Sequence, residues 1–175
     1  MSEDLRYPIG KFNTDFEISL EARQARIRTL KELPDKLAAS VNGLDDGQLD
    51  TEYRPGGWTV RQTAHHVPDS HANALIRFKL ALTEDESPTT RPYYEDRWAE
   101  LADSRLPVSV SLAIIEGVHT RWAELLRNMS EADFAREFVH PETGNWTLEK
   151  ALALYAWHSR HHTAHIAGTR ERNSW

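Results

Sequence analysis

The sequence predicts an all-α protein, a four-helix bundle with a long crossover between its second and third helices. Two observations carry that prediction. Four stretches repeat their apolar residues with the 3.6-residue period of an amphipathic helix, and nothing reads convincingly as a sheet. The connection between the second and third stretches runs to about 24 residues and contains Pro88, Pro92 and Pro107, which is long for neighbouring helices. It is expected to be a crossover, a lid, or both. At 175 residues the chain is long enough to bury its own core, and residues 1–175 are expected to form one domain.

The first helix is expected from about Glu17 to Ala39, with Phe16, Leu20, Ile27 and Leu30 among its apolar positions. Pro34 should divide it, because an interior proline removes a hydrogen bond and clashes with the preceding turn. VNGLDDGQLDTEYRPGG then supplies turn residues. The second helix opens at WTVRQ, where Thr59 and Gln62 form a capping box, and continues to about Thr83. Pro68 should kink it. A short helix is expected at Tyr93 to Trp98, inside the long connection. The third helix spans Val108 to Met129 on a stripe of Leu112, Ile115, Val118, Trp122, Leu125 and Met129. The fourth opens at NWTLEK under a Thr147 cap and ends near Gly168. GGWTV and GNWTL place a tryptophan at the head of each helix that carries clustered histidines.

Composition removes several function classes. The hydrophobic share is 39% and the charged share 27%, those of an ordinary soluble protein. Asp and Glu outnumber Lys and Arg by 27 to 21, a formal charge of -6 with no basic stripe, so no nucleic-acid partner is expected. No apolar run approaches the ~20 residues of a membrane span, and the start reads unlike a signal peptide. Cysteine is absent, so neither disulfides nor thiolates can contribute. A cytoplasmic protein with no membrane partner is expected.

The histidines carry the chemistry. Four of nine fall in WHSRHHTAHI: His158, His161, His162 and His165. Ligands on one helix converge at a spacing of three or four, since neighbours point about 100° apart. Two pairs survive that test, His158/His162 and His161/His165. The apolar stripe Leu148, Ala151, Leu152, Tyr155 and Ile166 centres near His162, with His158 about 40° to one side and His161 about 100° away. His158 and His162 therefore face the interior. His165 borders that face as a supporting partner, and His161 is expected to face outward or meet another subunit. A third ligand should come from HHVPDSH on the second helix, where periodicity divides between His66 and His71. His119 and His140 read as ordinary exposed or hydrogen-bonded histidines. No HExxH, GxSxG, phosphate loop or paired-carboxylate motif is present. Any hydrolytic nucleophile is therefore best assigned to metal-bound water.

YRPGGWTVRQTAHHVPDSHANALIRFKLALTE, WAEL, FVHPETG and YAWHSRHHTAHI, taken together, resemble the DinB-like metal-dependent hydrolases of the YfiT subfamily. The likeness runs from YPIGKF to AHI. It implies a four-helix bundle with an unusual crossover, one divalent metal per subunit, and a homodimer acting on a small-molecule substrate. It also implies a helix-two ligand eight residues after the tryptophan, which is His66, and an HxxxH pair in the last helix, His158 and His162. Three histidines with an open position suit zinc first and nickel as the alternative. The wider superfamily implies a second possible chemistry, metal-assisted transfer to a small thiol, and a third reading is a metal-binding protein without catalysis.

Overall fold

Three of the four long helices begin at a side-chain oxygen that accepts from a free first-turn amide, and the remaining one follows Pro107. In the computed structural model, which describes residues 5–175, the elements run as follows. Helix α1 is Leu20–Val41, α2 Asp46–Leu49, α3 Val60–Thr83 and α4 Glu95–Trp98, followed by a 3-10 turn at Ala102–Arg105. Then come α5 (Val108–Arg127), α6 (Glu131–Ala135), the hairpin β1 (Glu137–His140) and β2 (Gly144–Thr147), and α7 (Leu148–Asn173). Ser19 accepts from the Ala22 amide at 3.1 Å and Thr147 from the Lys150 amide at 3.1 Å. Thr59 and Gln62 form the expected capping box, the Thr59 amide donating to Gln62 Oε1 at 2.9 Å.

The helices α1, α3, α5 and α7 make the bundle. Helix α1 packs mainly on α5 and α7, and α3 on the same two, so α1 lies across the bundle from α3. Helices consecutive along the chain are thus diagonal partners twice, which requires long connections. The link from α3 to α5 reaches the hairpin on its way: the Thr90 amide donates to the Val139 carbonyl, and the Val139 amide to the Pro88 carbonyl, each at 2.9 Å. Among the described residues no helix is long and apolar enough to cross a membrane.

Three local expectations are corrected. Helix α1 runs unbroken through Pro34, because packing on two neighbours outweighs the one lost hydrogen bond. Helix α7 extends beyond Gly168 to Asn173. FVHPETGNWT folds as an antiparallel hairpin pairing Phe138 with Trp146, turning at Gly144 with φ +79°. Its strands are four residues each, too short for alternation to show.

The apolar interior is divided in two. One cluster gathers Leu30, Phe78, Trp122, Leu126, Leu152 and Tyr155; the other gathers Leu33, Leu37, Val60, Val67, Ile115 and Ile166. Four of the histidines fall between these sets along their helices: His71 on α3, His119 on α5, and His158 and His162 on α7. A buried ion network fastens the outside. Arg23 Nε donates to Glu149 at 2.5 Å and Arg26 Nη1 to the same carboxylate at 3.0 Å, while the Arg23 guanidinium also holds Glu131.

Candidate metal centre

His66 enters from α3, and His158 and His162 enter one turn apart from α7. Each offers a ring nitrogen, and the three lie within 4.8 Å of one another. Nε2 of His66 is 3.2 Å from Nε2 of His158. That is close to the edge of a tetrahedron about 3.3 Å long, as Zn–N bonds near 2.0–2.1 Å would require. Nδ1 of His162 is buried with no hydrogen-bond partner, so no protein donor competes for it. The donor set fits a divalent metal: soft enough for a borderline cation, with no charged ligand.

Burial keeps these rings neutral and their lone pairs available. It pushes His66 down to about 3 and His158 and His162 well below the ordinary 6.5, with neighbouring imidazoles reinforcing the effect. Trp58 lies over the group, its ring 4.5 Å from His66 and 6.3 Å from His162, and its Nε1 donates to Asp96 of α4 at 3.1 Å. The turn before it needs its glycines. Gly56 has φ +67°, and a Cβ on Gly57 would meet Arg54 Cγ at 2.7 Å.

His66 and His158 also line a cavity of about 540 Å³. Its walls include Tyr93 from the α3–α5 connection, Trp146 from the hairpin and Tyr155 from α7, with Arg77 and Arg91 supplying positive charge. Arg77 donates to the Tyr155 hydroxyl at 3.3 Å. Both tyrosine hydroxyls bond Ser70, and burial raises both above their ordinary range, so neither ionises near neutral pH. The periodicity of the sequence gave no signal for Tyr93, Arg77 or Trp146, because a cavity wall assembled from three separate segments has no repeat.

The remaining histidines separate clearly. His65 turns to α5, with Nδ1 2.6 Å from Ser111 Oγ and Nε2 3.0 Å from the Leu106 carbonyl. His161 does not face outward: it is 7% exposed, stacked on Trp157 at 4.3 Å. Residues 7–10 lie against α7, with the Tyr7 ring 6.1 Å from that of His161 and Trp157 Nε1 donating to the Gly10 carbonyl at 3.2 Å. His165 stacks on Tyr53 and bonds the Arg6 carbonyl, and its Nδ1 has no partner, so it supports no ligand by a hydrogen bond. His71 is the residue that touches His158, its Nε2 3.1 Å from Nδ1, and is fully buried. His119 is fully buried behind it rather than exposed. His140 lines the cavity.

The fold and this site define a helical bundle with a candidate three-histidine metal centre, and the chain belongs to the DinB superfamily, whose family description matches residues 29–166. It is 53% identical over 173 residues to a Bacillus mycoides protein named "Putative metal-dependent hydrolase", covering 99% of each chain. Its structure matches that of YfiT from Bacillus subtilis with a TM-score of 0.94 and 50% identity, over 98% of this chain and 99% of that one. YfiT is described as a probable metal-dependent hydrolase with an unusual four-helix bundle topology. TT2238, described as a four-helix bundle protein, shares the fold at a TM-score of 0.51 and 22% identity, over 81% and 94% of the two chains.

Proposed function

We propose that this protein is a metal-dependent hydrolase of a small-molecule substrate, in which His66, His158 and His162 hold one divalent cation per subunit of a homodimer. The observation that carries the reading is the convergence of three neutral imidazoles, two of which, His66 and His158, line a cavity of about 540 Å³. Zinc suits three nitrogen donors with a position left open, and nickel is the alternative. A divalent ion supplies Lewis acidity and makes water a usable nucleophile near neutral pH.

The protein's own groups do the rest. Tyr155 and Tyr93, held protonated, donate to an oxygen of the substrate. Arg77 steadies the Tyr155 hydroxyl and adds positive charge where negative charge would develop. Trp58 and Tyr93 restrict water around the reacting group.

The test is a screen of metal-loaded protein against ester, amide and phosphoester substrates, set beside electrophiles supplied with small thiols. Turnover in the first set without thiol supports hydrolysis. Turnover that strictly requires thiol and saturates with it would overturn hydrolysis in favour of thiol transfer. Light scattering tests the dimer.

A further inference from the structure

We propose that His71 and His119 are positioning residues, which lock His158 in the tautomer that turns its Nε2 lone pair toward His66. The proposal rests on the metal-site reading above and concerns how that site is held ready.

The chain of contacts crosses all four long helices, and its direction follows from its far end. A carbonyl oxygen can only accept. His119 Nδ1 lies 2.5 Å from the Leu30 carbonyl, so Nδ1 carries the hydrogen. The other nitrogen of a neutral ring is then a bare acceptor. His119 Nε2 is 2.9 Å from His71 Nδ1, so His71 donates there. His71 Nε2 is in turn an acceptor, 3.1 Å from His158 Nδ1, so His158 donates to it. The last lone pair in the series is on His158 Nε2, 3.2 Å from His66 Nε2. Each tautomer is dictated by the one before it.

The anchor has a cause in the sequence. In a helix without proline the Leu30 carbonyl would accept from the amide four residues on, and here that residue is Pro34, which has none. The proline thus leaves an oxygen for His119 to use. The relay is dry: His71 is 0% exposed and His119 2%. Within it neither ring can exchange its partner for water. Outer hydrogen bonds of this kind fix the orientation of a ligating histidine and raise its basicity, and losing one typically costs about 10–100-fold in metal affinity.

Two measurements test it. In the metal-free wild-type protein, ¹⁵N NMR of the histidine rings should show the His158 hydrogen on Nδ1; a hydrogen on Nε2 overturns the proposal. Zinc affinity, measured by competition with a chelator, should fall about 10–100-fold in His71→Leu, which keeps bulk but accepts nothing. His71→Gln places an amide oxygen near the lost Nε2 and should restore affinity to the wild-type order of magnitude. A folded His71→Leu that binds zinc as tightly as wild type would refute the assignment, as would a folded His71→Gln no better than His71→Leu. Should His71→Leu fail to fold, the wild-type tautomer still decides. If wild type binds no zinc, the metal-site reading fails while the NMR result continues to judge the relay.

Discussion

Pro34 stands four residues after Leu30, and the Leu30 carbonyl accepts from His119 Nδ1 at 2.5 Å. An interior proline ordinarily costs about 3 kcal/mol because it strands such a carbonyl and crowds the turn. Here the carbonyl has a donor. Replacing Pro34 with Ala should therefore change stability by no more than about 1 kcal/mol. In a His119→Leu background the same substitution should stabilise by about 1 kcal/mol more, because the new amide then satisfies an orphaned oxygen. Urea unfolding of the four proteins measures the coupling, and strict additivity would refute the link.

Metal content should divide the histidines. Removing the imidazole of His66, His158 or His162 by alanine should lose the ion, since two nitrogens hold a divalent cation far less well than three. His161→Ala should keep it, because His161 stacks on Trp157 instead. Elemental analysis of the purified variants decides, and stoichiometric metal in His162→Ala would refute the ligand set.

Glu149 holds two arginines, and both it and Arg23 are almost completely buried. Glu149→Ala should cost about 1–3 kcal/mol, because Arg26 loses its carboxylate while Arg23 is left with the exposed Glu131 alone. Glu149→Met together with Arg23→Met should cost less than the single change. Chemical denaturation measures both, and an undestabilised Glu149→Ala would show that Glu131 and water satisfy Arg23 without Glu149.

Acid should unfold the metal-free protein early. Burial holds His66 at about 3 and His119 at about 4, against 6.5 in an unfolded chain. Below pH 6.5 the unfolded state takes up protons that the folded state refuses, so stability falls as pH falls and is whole above that value. Each such ring costs about 1.4 kcal/mol per pH unit until its folded value is reached. Unfolding free energies across pH 7 to 4 check the slope, and a flat profile above pH 5 would contradict neutral burial.

How much of this the sequence carried depends on how local each cause is. The caps at Thr59 and Thr147, and the inward pairing of His158 with His162, follow from residues within one or two turns. Periodicity shows them because a helix places its own neighbours. The choice between His66 and His71 was not of that kind. Both face the interior, and periodicity across Pro68 could not say which reaches α7 at the cavity and which lies behind; the likeness of GWTVRQTAHH to a family pattern pointed to His66. His119 does lie on the apolar stripe of its helix, four residues after Ile115 and three before Trp122, so its burial was legible there, whereas nothing local marks His161 as covered, since Tyr7 and Trp157 close over it from two separate segments. Four amphipathic helices and an inward histidine pair are legible in the chain itself. That α1 and α3 lie diagonally, and that Leu30, His119, His71 and His158 meet in series, emerges with the packing of those helices. A hydrogen-bond chain between helices depends on their lateral order and on which carbonyl lacks a donor. Pro34 marks that carbonyl in the sequence, but only packing brings an imidazole to it.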